Sequence, residues 1–199
     1  STTPITASSS SGSTDDEGWT GDYPIPPSVE IPTVSPVVGL FGNNTGTISN
    51  LYLEDAVISG NATNGTKMYI GGITGHNNGT VSNCASINNI LQVGGAGLYY
   101  GGIVGCLPNQ IILTVENALF TGKIKGTGAN LVGGIVGGNN NASTVTLNNC
   151  LALGSIQDGA GSATALYGKV NSRYTKLFVN HSYTTITNYN TIASPYGDG

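Results

Sequence analysis

Gly39-Leu40-Phe41-Gly42 returns three times with small changes, as Gly72-Ile73-Thr74-Gly75, Gly102-Ile103-Val104-Gly105 and Gly134-Ile135-Val136-Gly137. The copies recur about every 30 to 34 residues, a period that marks a stacked array in which each unit buries its apolar face only against its neighbours. A second landmark follows each copy: Ile48-Ser49-Asn50, Val81-Ser82-Asn83, Val115-Glu116-Asn117, Leu147-Asn148-Asn149 and, in a degraded fifth copy, Phe178-Val179-Asn180. Composition alone does not produce two linked landmarks at one period.

The residue types decide which kind of array this is. Helical arrays need long runs of Ala, Leu, Glu and Lys, whereas this chain is 8% charged, carries 31 Gly and fills its apolar runs with Val, Ile, Thr and Tyr. A unit of this length supplies three strands joined by Gly and Asn turns, for example Tyr69 to Thr74, Thr80 to Ile87 and Asn89 to Val93. Stacking such units predicts an all-β chain, a parallel β-helix of about five coils in which equivalent strands pair from coil to coil. Asn50, Asn83, Asn117, Asn149 and Asn180 then form a ladder of side-chain hydrogen bonds. The next position reads Leu51, Cys84, Ala118, Cys150 and His181, and points inward in the first four coils.

The Gly-Leu-Phe-Gly copy and its variants, with the downstream Val-Ser-Asn-Cys and Asn-Asn-Cys, resemble the GLUG motif repeats of large secreted and surface-attached adhesin-like proteins. The resemblance covers roughly residues 38 to 156, with a weak continuation to residue 186. It implies a secreted, elongated surface protein and no particular activity. Two departures stand out: Cys106-Leu107-Pro108 replaces Asn and Gly in the third unit, and the fifth keeps only Tyr167-Gly168-Lys169-Val170.

In such a stack Cys84 and Cys150 are two coils apart, about 10 Å, beyond the reach of a disulfide. Both are expected to be free and buried, which leaves Cys106 as the candidate for pairing with another chain. No Cys/His spacing suggests a metal, and no cofactor motif appears. Six basic residues and a formal charge of −4 argue against nucleic acid. The sequence has no apolar run long enough to span a membrane. Ser1 in place of Met fits a processed, secreted chain or an excised fragment.

Residues 1–37 read as an extended arm, Ser/Thr-rich and then Pro-rich, residues 38–186 as the repeat domain, and residues 187–199 as a tail. Charge is uneven. Residues 1–66 hold seven acids, among them Asp15, Asp16 and Glu17, and no Lys or Arg; residues 67–199 hold six cations, including Lys169, Arg173 and Lys176, against three acids. An acidic head and a basic tail suit head-to-tail contact between copies. Trp19 and Tyr23 are the natural anchors for an arm that crosses to a neighbour. Open strand edges at both ends invite the same partner.

Sequons mark Asn43, Asn61, Asn64, Asn78 and Asn141 as glycosylation candidates in loops and turns, while Asn180, within the ladder, is expected to be inaccessible. Catalysis would need carboxylates gathered on one face, and the repeats hold only Glu54, Asp55, Glu116 and Asp158. No catalytic residue is assigned. The reading is a non-enzymatic structural subunit of an extracellular filament or surface appendage, with copies of itself as partner. The alternative is an adhesin-type module that recognises glycans or host protein through exposed tyrosines such as Tyr99 and Tyr100.

Overall fold

The computed structural model describes residues 4–8, 37–61, 67–94, 98–107, 111–126, 131–139, 143–157, 162–168 and 176–186. Among them every regular element is a strand. The chain enters on β1 (Pro4–Ser8) and then winds through four faces per turn. The first circuit is β2 (Val37–Val38), β3 (Phe41–Asn44), β4 (Thr47–Glu54) and β5 (Val57–Asn61). The second is β6 (Met68–Gly71), β7 (Thr74–Asn77), β8 (Thr80–Ile87) and β9 (Ile90–Gly94), and the third β10 (Leu98–Gly101), β11 (Val104–Cys106), β12 (Ile112–Phe120) and β13 (Lys123–Gly126). There follow β14 (Leu131–Gly133), β15 (Thr144–Asn148), β16 (Leu151–Ala152) and β17 (Ser155–Gln157), then β18 (Ser162–Thr164), β19 (Lys176–Asn180) and β20 (Tyr183–Thr184).

Each strand pairs in parallel with its equivalent one turn away. The first sheet runs β1-β5-β9-β13-β17, the second β2-β6-β10-β14-β18 and the third β3-β7-β11. In the fourth, β4, β8 and β12 are followed by the split pairs β15 with β16 and β19 with β20. The chain is therefore an all-β parallel solenoid, the class that the repeat predicts. Three details differ. A unit carries four strands and not three, because Gly72-Ile73 breaks the run from Tyr69 to Thr74 into β6 and β7. Strands line all four faces for only three turns, fewer than five coils, since beyond β11 the third face narrows to the isolated bridges Val104 to Val136, Leu107 to Asn139 and Val136 to Tyr167. Residues 1–37 are not uniformly an arm: Pro4–Ser8 stacks on Val57–Asn61 of its own chain, with Pro4 at the strand start where a missing N–H is tolerated.

Inward side chains form columns along the stack. Ile58, Leu91, Ile124 and Ile156 line the first face, Ile48, Val81, Val115 and Leu147 the fourth, and Ile73, Ile103, Ile135 and Leu166 the corner between the second and third; all are buried. Full burial of a Val or Ile contributes about 1.5–3 kcal/mol, so the columns supply most of the driving force.

The fourth face is kinked at one point in every turn. Asn50, Asn83, Asn117 and Asn149 all have φ between 51° and 55°, and His181 has φ 46°. The left-handed residue resets the strand's alternation, so that Val81 and Cys84, three apart, are both buried. Asn tolerates this conformation better than any residue with a larger or branched side chain. The fifth kink is His181 and not Asn180: β19 aligns Val179 with Leu147 and Asn180 with Asn148. The fifth landmark is thus Val179-Asn180-His181, and Ser182 rather than His181 follows the kink at the level of Cys150, its hydroxyl accepting from the Cys150 N–H at 3.0 Å. The fifth Gly copy likewise shifts to Ala165-Leu166-Tyr167-Gly168, since Tyr167 bridges Val136.

Candidate functional site

Among the described residues no catalytic set is gathered, and the surfaces left open are the two ends and the outer fourth face. Strand β1 lies over β5 on the first face of the head, and among the described residues no strand or helix covers the fourth face at either end. As a result Leu51 and Leu53 at the head, and Leu177 and Val179 at the tail, are only half-buried although their equivalents between the ends are sealed. Strand β4 at the head and strands β19 and β20 at the tail each pair on one side only.

On the outer fourth face one column reads Tyr52, Ala85, Leu119, Leu151 and Tyr183 in register. Tyr52 is 67% exposed and Tyr183 66%, while Ala85 between them is buried. Sequence reasoning missed this pair. The available signal was an aromatic two residues after the kink, present only in the first and last turns. Tyr99 and Tyr100, expected to be exposed, are 7% and 0% exposed. Tyr100 faces the core in register with Ile70 and Val132, and Tyr99 packs on Tyr69 with ring centroids 5.2 Å apart.

The kink asparagines form an outer ladder. Asn83 donates to Asn50 Oδ1 at 3.1 Å, Asn117 to Asn83 Oδ1 at 2.8 Å and Asn149 to Asn117 Oδ1 at 3.1 Å. Asn180 instead donates to Asn148 Oδ1 at 2.8 Å, one position away, and is exposed rather than inaccessible. Asn43 and Asn78 are exposed, and Asn61 ends β5; Asn64 and Asn141 lie outside the described residues. So do Asp15, Asp16, Glu17, Trp19, Tyr23, Lys169 and Arg173. Lys176 opens β19 and is exposed, at the opposite end of the stack from Glu54 and Asp55, so these charges do not meet within one chain.

His76 stacks on Tyr69 at 5.5 Å and its Nδ1 lies 3.1 Å from Asn43 Oδ1; burial lowers its pKa, and with the amide oxygen as acceptor Nδ1–H is the donor. No carboxylate joins this pair, and no group of three or more His, Cys, Asp or Glu capable of holding a metal occurs among the described residues. A groove of about 420 Å³ at the corner of the fourth and first faces is lined by Asn88, Thr121, Lys123, Leu153 and Ser155, and it too lacks an acid.

All three cysteines are free and buried. Cys84 and Cys150 flank Ala118 in one column. Cys106 is fully enclosed beside Tyr69 and Tyr99, which removes it as a bridge to another chain. Burial raises all three thiols, Cys150 to about 11 from an ordinary 9.0. None should react with an alkylating reagent at pH 8 until the chain is denatured; labelling of native Cys106 would contradict its enclosure. Between pH 9 and about 11 the unfolded chain gives up the Cys150 proton while the native chain keeps it. The unfolded state then binds fewer protons, and stability falls as pH rises through this window. The buried phenols of Tyr100 and Tyr167, raised by the same cause, extend the fall upward. Thermal melts at successive pH values check the sign.

No helix of the described residues is long and apolar enough to cross a membrane. The chain matches no protein-family model, and neither the curated proteins nor the solved structures contain a match.

Proposed function

We propose that the chain is a non-enzymatic structural subunit of an extracellular filament or surface appendage, built by head-to-tail contact between copies. The observation that carries this reading is the open core: half-buried Leu51 and Leu53 at one end, Leu177 and Val179 at the other, each beside a strand paired on one side only. Covering such residues is favourable by about 25 cal/mol per Å², and an unprotected strand edge is a template for another chain. The acidic head and basic tail add steering. The extracellular setting rests on the resemblance of the Gly motif to the GLUG repeats of secreted adhesin-like proteins.

Sedimentation over a concentration series, with electron microscopy of the heaviest fraction, tests the reading. Long polymers are expected. Trp19→Ala should weaken them more than neutralising Asp15 and Asp16, because a buried aromatic contributes roughly 2 kcal/mol and an exposed ion pair up to about 1 kcal/mol. A monomer at every concentration would overturn the filament and favour instead a module that binds glycans or host protein through Tyr52 and Tyr183.

A further inference from the structure

The tail end of the stack is closed at one corner, while among the described residues the first sheet ends there on β17 and the fourth on β19 and β20, each with a free edge. In the inner turns a glycine pair occupies the corner between the second and third sheets: Gly71-Gly72, Gly101-Gly102 and Gly133-Gly134. A Cβ on Gly72, Gly102 or Gly134 would run into the carbonyl oxygen of Gly102, Gly134 or Ala165 in the turn that follows. In the last turn the pair is Thr164-Ala165. The Ala165 methyl therefore stands where a further turn at the same spacing would put its carbonyl.

Thr164 closes the same corner with hydrogen bonds. Inside the stack the carbonyls of Val104 and Val136 accept from the N–H groups of Gly137 and Gly168 one turn on, at 2.9 and 2.8 Å. The equivalent carbonyl in the last turn, that of Tyr167, accepts from Thr164 Oγ1 of its own turn. A side chain has replaced the next turn's backbone donor.

Among the described residues the fourth face has no such closure. Leu177 and Val179 are half-exposed, Phe178 and Tyr183 stand out into solvent, and β19 and β20 offer an unpaired edge. The matching edge is β4 at the head. Continuing the column order of the sheet puts Ile48 of one copy over Val179 of the next, Asn50 over His181, Leu51 over Ser182 and Tyr52 over Tyr183. In this alignment alone the kinks coincide, Asn50 with φ 55° and His181 with φ 46°, so the sheet runs on without a break. A slip of one residue would turn every inward side chain outward.

We propose, on the basis of the head-to-tail reading, that copies join through the fourth sheet and not through the second or third, β4 of one on β19 and β20 of the next in this register. The capped corner of Thr164 and Ala165 holds the second and third sheets apart. Each junction is then a wedge, sealed on one side and splayed on the other.

Engineered cysteines in the full chain test this. Stacked positions are about 4.8 Å apart, within the roughly 4.4–6.8 Å that a disulfide spans. Tyr52→Cys with Tyr183→Cys should give, on mild oxidation, a covalent ladder whose peptides map to a 52–183 disulfide. Ser49→Cys with Asn180→Cys, also outward-facing, should do the same if the first pair folds poorly. Val37→Cys with Ser162→Cys, in register across the capped corner, should link at least tenfold less. Equal linking at 37–162 overturns the closed corner. Polymers that never link at 52–183 or 49–180, or that link 52 to 52, overturn the register and leave the filament standing; a wild-type monomer removes both.

Discussion

Replacing Gly102 by Val is expected to destabilise the chain by about 3 kcal/mol or more, a fall of roughly 6–12 °C in the melting midpoint of a protein this size. An ideal Cβ at this position would collide with the Gly134 carbonyl and lie 2.6 Å from Phe120 Cδ2. Neither neighbour can give. Phe120 is fully buried, and the turn that carries Gly134 is pinned by Ile103 and Val104 N–H groups, both donating to the Ile135 carbonyl at 3.0 Å. In a stack each turn is stabilised by its neighbours, so lifting one central turn breaks two interfaces. Gly134→Val meets a similar clash, with the Ala152 Cβ and Ile186 Cδ1 each at 2.8 Å, but the turn beyond it is the last and can fray. Its cost should exceed about 1 kcal/mol and remain below that of Gly102→Val. Gly46→Ala, whose Cβ meets nothing closer than 3.9 Å, should stay within about 0.5 kcal/mol. An unchanged midpoint for Gly102→Val would break the link between the Gly motif and the close approach of turns.

The solenoid was legible because its two requirements recur at the period. A glycine must stand wherever one turn's backbone touches the next, and a residue tolerant of positive φ must stand at each kink of the fourth face. The fifth copy was misread for a physical reason too. With its glycines replaced by Thr164 and Ala165 the motif was no longer recognisable, and that replacement belongs to an end turn. Asn180 was then matched to the other asparagines by type, although the alternation of Leu177 and Val179 assigns the kink to His181. The burial of Tyr99 and Tyr100 was not legible. Tyr99 and Tyr100 look alike in sequence, yet Tyr100 points into the core, Tyr99 packs on Tyr69, and Tyr52 stands on the outer fourth face of the first turn.

The largest omission was Asn89, one of three buried asparagines outside the repeated landmarks among the described residues, with Asn77 and Asn139. Its Oδ1 accepts the Ala56 N–H at 2.7 Å, and its Nδ2 donates to the Leu53 carbonyl at 2.7 Å and to Ser86 Oγ at 2.9 Å. One side chain thus ties the second turn to two backbone groups of the first at the corner where β4 passes into β5. Later turns have Gly122 and Gly154 at this level, glycines that leave room for the Phe120 ring, so the residue does not repeat. Asn89→Leu keeps the volume and removes all three bonds. The Ala56 N–H and Ser86 hydroxyl are then left buried without these partners, at about 1–3 kcal/mol for each orphaned group. The expected loss is about 3 kcal/mol, or roughly 6–12 °C in the midpoint. The outer ladder should matter far less. Its amides are exposed, where a hydrogen bond is worth about 1 kcal/mol or less, and Asn83→Gly retains the left-handed backbone, so it should cost about 1 kcal/mol. If Asn89→Leu melts within 2 °C of the wild type while Asn83→Gly does not (about 0.5–1 kcal/mol or less against more), the ranking of buried caps over exposed ladders is wrong for this solenoid.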